Sequence, residues 1–300
     1  MTTQCENLIE QYLKLIDKQW KSVVEGVRSP ALKEPIGSLL VSGKRVRPLL
    51  TLLACEAGGG KAEDAVPAAL SVELLHTASL IHDDMMDASS KRRGKPTIHT
   101  AYGNKVALLC GDFLVSLAYE EIYKLPEAVK VKVWNLMNQT YRQLCEGQAL
   151  EEYINEKGDV SSQDLLEVIE KKTAVLIDFA TSSGAVVSGV DLKTVNCFSE
   201  FGKNIGYAFQ IKDDILDIIG DEEEMGKDCS QDEKNKKVTW MESIRLDDRS
   251  NASVEDKINY AEQKVKEFTN KALEYLSETP QSEKREVLKE FTLSLLDRRS

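Results

Sequence analysis

Three aspartates, Asp83, Asp84 and Asp87, stand within five residues of an otherwise apolar run from Leu80. At helical spacing Asp83 and Asp87 are i and i+4 and leave from one face, with Asp84 one step around. Like charges at that distance repel, by roughly a few tenths of a kcal/mol on an exposed helix and more in a cleft. A divalent cation reverses the sign. Hard carboxylate oxygens suit Mg²⁺, which keeps waters and shares the phosphates of a substrate. Taken alone, the run is equally a solvated acidic face at a helix end. The pattern returns at Asp213, Asp214 and Asp217, again among apolar neighbours and on a different helix. Two facing acidic helices can clamp a polyphosphate between metal ions, and coincidence becomes the weaker explanation.

Cations accompany both motifs. Gly43-Lys44-Arg45-Val46-Arg47-Pro48 sets a glycine, which permits close backbone approach to an anion, before three positive charges. Lys44 and Arg47 are i and i+3 and so share one side of a helix, with Pro48 in its first turn, where the helix N-terminus favours negative charge. Lys91-Arg92-Arg93-Gly94-Lys95 follows the first acidic motif, and His76 lies about two turns before Asp83, on a face it can share. The plainer alternatives are a basic loop with no ligand and a satisfied core histidine.

The elements that must position these residues read as helices throughout. Periodicity predicts an amphipathic helix over 6–27, with Pro30 and Pro35 bounding a linker. Gly58-Gly59-Gly60 ends the helix after Pro48, and a long helix starting near Pro67 carries His76 and the first acidic motif. Further helices are expected over 99–122, from Pro126 to about Tyr153, from the Ser161-x-x-Asp164 capping box through Lys172 and Thr173 to small residues Thr181–Ala185, and from Asp191 or Thr194 through Gln210 and the second acidic motif. The small residues permit close helix contact or space for a ligand. Charged segments at 221–237 and 247–254 read as loops, the first over the site, and two helices close the chain at 255–277 and 282–296. No strand is expected. The fold class is all-α: one domain over 1–300 with roughly ten helices.

Composition narrows the function. A formal net charge of −11 argues against a general nucleic-acid binder, without excluding anionic substrates held by local cations. Hydrophobic content of 42%, with 17 glycines and 7 prolines in 300 residues, suits a soluble, mostly helical chain with a sizeable core. The cysteines, Cys5, Cys55, Cys110, Cys145, Cys197 and Cys229, form no C-x-x-C pair and read as reduced, mostly core thiols of a cytoplasmic protein. No signal peptide and no transmembrane run is expected.

Together these residues resemble the trans-polyprenyl (isoprenyl) diphosphate synthase family. The first aspartate-rich motif looks like Asp83-Asp84-Met85-Met86-Asp87 with Arg92-Arg93-Gly94 following, and the second like Gln210-x-x-Asp213-Asp214-x-x-Asp217 preceded by Gly206 and Phe209. The run from Gly43 to Pro48, His76, Lys172-Thr173, Gly226-Lys227, Asp232 and Lys237-Val238-Thr239 match further blocks, so the likeness spans about 43–239. The resemblance implies the isoprenoid synthase helical bundle around a central cavity, a homodimer, and head-to-tail condensation of isopentenyl diphosphate with an allylic diphosphate. It implies three Mg²⁺ ions, with Mn²⁺ as an alternative, held by Asp83, Asp84, Asp87, Asp213 and Asp217. It also implies that Gly43, Lys44, Arg47, His76 and Arg93 hold isopentenyl diphosphate. Arg92, Lys172, Lys227 and Lys237 would hold the allylic substrate, and Thr173 and Gln210 would lie beside its cation.

The chain departs from that pattern at Ser42, where a second glycine is common, at Glu151, where an aspartate is common, and at Met241, where a proline often stands. None removes a cation-binding group. In the family, aromatic residues four and five positions before the first aspartate stop growth at C15. Here those positions are Ser79 and Ala78, so the product expected is C20 or longer, C20–C25 by preference, from C5–C20 primers. Leu75 and Leu74, with Leu108, Leu109 and Leu114 opposite, could form a later floor or plain core. A class I terpene cyclase is disfavoured by the second Asp-rich run, and a non-catalytic regulatory subunit by the retention of all six aspartates.

Overall fold

The computed structural model describes residues 1–39, 43–157, 161–219 and 253–297. In chain order the helices are α1 (Thr3–Gly26), α2 (Pro30–Ser38), α3 (Val46–Ala57) and α4 (Ala62–Met86), then, after a short hairpin of β1 (Lys91–Arg92) and β2 (Lys95–Pro96), α5 (Ile98–Tyr102), α6 (Asn104–Tyr123) and α7 (Glu127–Lys157). They continue with α8 (Ser162–Ile169), a π turn (Glu170–Ala174), α9 (Val175–Ser188), α10 (Leu192–Ile219), α11 (Val254–Ser277) and α12 (Glu283–Leu296). The all-α reading holds.

Apolar spacing decides where each helix sits. On α1 the buried residues Cys5, Ile9, Tyr12, Ile16, Trp20 and Val24 recur every three or four positions, so one stripe faces inward. Its Thr2 side chain caps the Cys5 N–H, a contact type that contributes about 1 kcal/mol. Both α3 and α9 bury almost every residue and therefore occupy the interior. The helix α9 packs against α3, α4, α7 and α10, so it is the common neighbour of the two helices that carry the acidic motifs. Thr181–Ala185 are all buried in it, and the Thr181 hydroxyl donates to the Phe198 carbonyl of α10 at 2.7 Å. Those small residues serve close helix contact. One contiguous core runs from Cys5 on α1 to Leu296 on α12, and a smaller cluster of Ile169, Tyr207, Ile211, Ile215 and Ala261 ties α8 and α10 to α11.

Several boundaries differ from expectation. Pro30 and Pro35 do not bound a linker: Pro30 opens α2 and Pro35 lies inside it. Pro67 likewise lies inside α4, which starts five residues earlier at Ala62. Pro30 costs no helical hydrogen bond at the first position, while Pro35 and Pro67 each remove one, a loss that the buried faces of these helices outweigh. Gly103, at φ +87, splits the helix expected over 99–122 into α5 and α6. The expectation of no strand fails at the hairpin, where Arg93 (φ +50) and Gly94 (φ +74) form a tight two-residue turn with positive φ at both central positions. Cys5, Cys55, Cys110 and Cys197 are buried free thiols, whereas Cys145 is exposed; Cys229 lies outside the described residues. Among the described residues no helix is long and apolar enough to cross a membrane.

Candidate active site

The first acidic motif closes α4. Asp87 is its C-cap, and the Asp87 N–H donates to the Asp83 carbonyl at 2.9 Å, so both carboxylates leave from the last turn and both are half-buried. Asp84 turns inward and is buried. From β1, Arg92 reaches back to it: Nε stands 2.9 Å and 3.1 Å from the two carboxylate oxygens, and Nη2 2.8 Å from Oδ1. Burial raises the Asp84 pKa even though Arg92 opposes it. The hairpin thus does what an unstructured basic loop could not: it aims one arginine at the acidic turn and holds the next, Arg93, in a left-handed conformation beside it.

The second cation group gathers around His76, on the same helix two turns earlier. Arg47 on α3 donates from Nη1 to His76 Nε2 at 3.1 Å. Burial, then Arg47, Arg93, Arg92 and Arg45, drive the His76 pKa well below its usual value, so the ring is neutral. A guanidinium only donates, which leaves the ring proton on Nδ1. Gly43 lies against Arg93, Arg45 and Glu73, which brings the glycine-basic run and the hairpin together. Burial lowers the Arg47 pKa, while the carboxylates of Glu73 and Asp213 oppose it. Asp213 of the second acidic motif thus adds to the field on the same arginine that contacts His76. Arg47 Nε is enclosed and lacks a hydrogen-bond partner.

One placement differs from the helical-spacing argument. Arg45 is the N-cap of α3 with φ +49, so Lys44 precedes the helix and does not share a helical face with Arg47. Lys44 is exposed on the loop, whereas Arg45 is buried. The Arg45 guanidinium stands 2.7 Å from Glu73 Oε1 and 3.2 Å from Asp17 Oδ1, and 5.2 Å over the Trp20 ring. Sequence reasoning missed Glu73. The signal available was a lone carboxylate in an apolar stretch of α4, one turn before His76.

Lys172 and Thr173 come from the π turn between α8 and α9. Lys172 Nζ pairs with Glu151 on α7. The Thr173 hydroxyl donates to Gln210 Oε1 at 2.7 Å, and Gln210 Nε2 donates to Asp214 Oδ1 at 2.8 Å. A carboxylate only accepts, so this chain fixes the Gln210 amide orientation and links the π turn to the second acidic motif. Asp213 and Asp217 are half-buried on the same helix. Lys227 and Lys237 lie outside the described residues, as do Ser42, Gly226, Asp232, Val238, Thr239, Met241 and nearly all of the loops expected at 221–237 and 247–254.

On the side of α4 away from the acidic turn, Leu75 and Ala78 are fully buried, and half-buried Ser79 donates its hydroxyl to the His76 carbonyl at 2.9 Å. Leu114 is buried as well. Leu108 and Leu109 are not floor residues: they are 49% and 56% exposed, because that turn of α6 faces outward.

The donor set tests whether a cation fits. Among the described residues no three His, Cys, Asp or Glu side chains converge into a ready-made cage. The acidic donors are carboxylates alone, divided between the end of α4 and α10, which suits a hard cation that completes its shell with water and phosphate oxygens.

Against this geometry, comparison with known proteins is direct. The signature of the polyprenyl synthetase family matches residues 29–276. A geranylgeranyl diphosphate synthase of Cyanophora paradoxa is 39% identical over 244 residues, 79% of this chain and 81% of that protein. The crystal structure of a geranylgeranyl pyrophosphate synthetase from Pyrococcus horikoshii superposes with a TM-score of 0.89 at 31% identity, over 99% of each chain. A polyprenyl synthase from Caulobacter crescentus, complexed with calcium and isoprenyl diphosphate, superposes with a TM-score of 0.83 at 27% identity, over 99% of this chain and 97% of that one.

Proposed function

Because the chain belongs to the polyprenyl synthetase family, we propose that it is a trans-prenyltransferase that condenses isopentenyl diphosphate head-to-tail with an allylic diphosphate. The observation that supports the reading is the set of side chains gathered at the two acidic motifs, with Arg92 on Asp84 and Arg47 on His76 two turns earlier, and with the Thr173–Gln210–Asp214 chain at the second. The product is an all-trans polyprenyl diphosphate of C20 or longer, C20–C25 by preference, and pyrophosphate is released.

Asp83, Asp84 and Asp87 on one side and Asp213 and Asp217 on the other would hold three Mg²⁺ ions, or Mn²⁺, which when bound supply Lewis-acid neutralisation of the leaving diphosphate. Gly43, Lys44, Arg47, His76 and Arg93 hold isopentenyl diphosphate. Neutral His76 and a guanidinium with an unpaired, enclosed Nε suit an oxyanion that accepts several hydrogen bonds. Arg92 and Lys172, with Lys227 and Lys237, hold the allylic diphosphate. Thr173 spends its proton on Gln210, so its oxygen lone pairs are the part left to face an electron-poor allylic carbon. Once C4 of isopentenyl diphosphate has joined the allylic carbon, the C2 proton passes to the released pyrophosphate, which leaves an allylic C2=C3 double bond, and no protein nucleophile takes part.

Alanine and serine at Ala78 and Ser79, with Leu75 beyond, leave room for a chain past C15. We assign the single catalytic domain to 1–300, its compartment to the cytoplasm and its assembly to a homodimer. The exposed Leu108 and Leu109 of α6 and Val131 and Trp134 of α7 supply an apolar face for that contact. Pyrophosphate release should require isopentenyl diphosphate, an allylic primer and a divalent cation together. Release from the allylic diphosphate alone would identify a terpene cyclase, and no release at all a non-catalytic subunit.

A further inference from the structure

The π turn carries Lys172 and Thr173, and something must hold it in register. Its ladder closes with the Val175 N–H donating to the Glu170 carbonyl, one residue beyond α-helical spacing. That extra residue rotates the side chains that follow by about one helical step of 100°. Two close approaches wall the turn in. A Cβ at Gly147 on α7 would stand 2.6 Å from Lys171 Cβ, and one at Gly206 on α10 would stand 2.3 Å from Ala174 Cα. Walls limit sideways motion and leave the turn's position along α10 to be set.

Glu170 sets it. Its carboxylate accepts from Lys203 Nζ and from the Tyr207 hydroxyl, both at 2.5 Å and both on α10. The Tyr207 ring stacks on Phe268 of α11 with centroids 4.8 Å apart. Burial disfavours the Glu170 charge, but Lys203 and Tyr207 outweigh it and hold the carboxyl below the usual range. Lys203, Tyr207, Gln210 and Asp214 are i, i+4, i+7 and i+11, one stripe along α10. The turn therefore grips that stripe at two points, Glu170 on Lys203 and Tyr207, and Thr173 on Gln210.

We infer that Glu170 is a positioning residue, whose two bonds to Lys203 and Tyr207 fix the register of the π turn on α10 and so deliver Thr173 to Gln210. This rests on the prenyltransferase reading, in which Thr173 and Gln210 face the reacting end of the allylic substrate. The isopentenyl diphosphate group on α3 and α4 does not touch this anchor, which separates the kinetic consequences.

Tyr207→Phe removes one hydroxyl and keeps the stacked ring; Glu170→Ala removes both bonds; Glu170→Gln keeps an acceptor. Steady-state kinetics with both substrates and thermal melts should be run on all three, and on each combined with Thr173→Val. A positioning role predicts that kcat falls by about tenfold or more in Glu170→Ala and by less in Tyr207→Phe, with the KM for isopentenyl diphosphate within about twofold. Glu170→Gln should recover most of the loss, and the doubles should be little worse than Thr173→Val, since the residues act as one unit. Variants that lower the melting temperature but keep kcat at temperatures where they remain folded, or losses that multiply with Thr173→Val, would overturn the assignment. A wild-type protein that elongates nothing would instead fell the prenyltransferase reading.

Discussion

Arg45 and Glu73 meet in the interior at 2.7 Å, with 4% and 7% of their side chains exposed. Arg45 stands between Lys44 and Arg47, both candidate ligand cations, yet it turns away from them, in a left-handed backbone conformation that costs an L residue about 1–2 kcal/mol. The pair anchors the loop on which Lys44 rides. Glu73→Ala should therefore lower the unfolding free energy by about 1–3 kcal/mol, because it takes the buried partner from an arginine that keeps Asp17. Arg45→Lys loses the planar contact with Trp20 and should raise the KM for isopentenyl diphosphate while that for the allylic substrate stays level. Denaturant unfolding and two-substrate kinetics check both outcomes.

His76 gives a pH prediction. Burial, then the neighbouring arginines, hold its pKa well below the usual value of about 6.5, so the imidazole gains no proton as pH falls through that usual value. The KM for isopentenyl diphosphate should show no histidine inflection between pH 6 and 8. An inflection near pH 6.5 that vanishes in His76→Gln would contradict the assignment.

Asp178 on α9 gives one for stability. Burial pushes its pKa up to about 6, with Ser199 and Ser182 opposing, and its enclosed Oδ1 has no hydrogen-bond partner. A raised folded-state pKa means the protonated form is the stable one. The group's contribution is complete below its unfolded value of 3.8 and is lost as pH rises through about 6. Asp178→Asn should be near neutral below pH 4 and stabilising above pH 6, by up to about 3 kcal/mol. Thermal melts of both proteins at pH 4, 5, 6 and 7 would expose the opposite slope.

Ser79 tests product length better than Ala78 does. Ala78 is fully buried, and a phenylalanine there would overpack the core at a cost of about 1–3 kcal/mol. Ser79 is half-buried and gives up only its hydroxyl bond to the His76 carbonyl. Ser79→Phe should shift product to C15 or shorter with little loss of stability, read by chromatography of the dephosphorylated alcohols.

What the residues disclosed in advance follows from periodicity. Both aspartate triplets, Gln210 and His76 sit on the helices expected to carry them, and the Ser161–Asp164 capping box forms as written. Three features had no such signal. The π turn has ordinary helical composition, since one extra residue in a turn leaves the apolar pattern nearly intact. The hairpin turn is Arg93-Gly94, without the Asn-Gly or Asp-Gly pair that usually marks positive φ at both central positions. Arg45 reads as one more cation in a basic run, and only its αL backbone turns it inward. Leu108 and Leu109 were misplaced for a related reason: the start of α6 is apolar on more than one face, so composition alone cannot say which leucines are covered.

The most direct measurement is an incubation of the purified protein with Mg²⁺, radiolabelled isopentenyl diphosphate and, separately, C5, C10, C15 and C20 allylic primers, reading chain length after dephosphorylation. The account predicts a ladder from the shorter primers that ends at C20 or C25 and is abolished in Asp83→Ala and Asp213→Ala. A ladder that stops at C15 would contradict the open tunnel at Ala78 and Ser79, and no elongation from any primer would contradict the prenyltransferase itself.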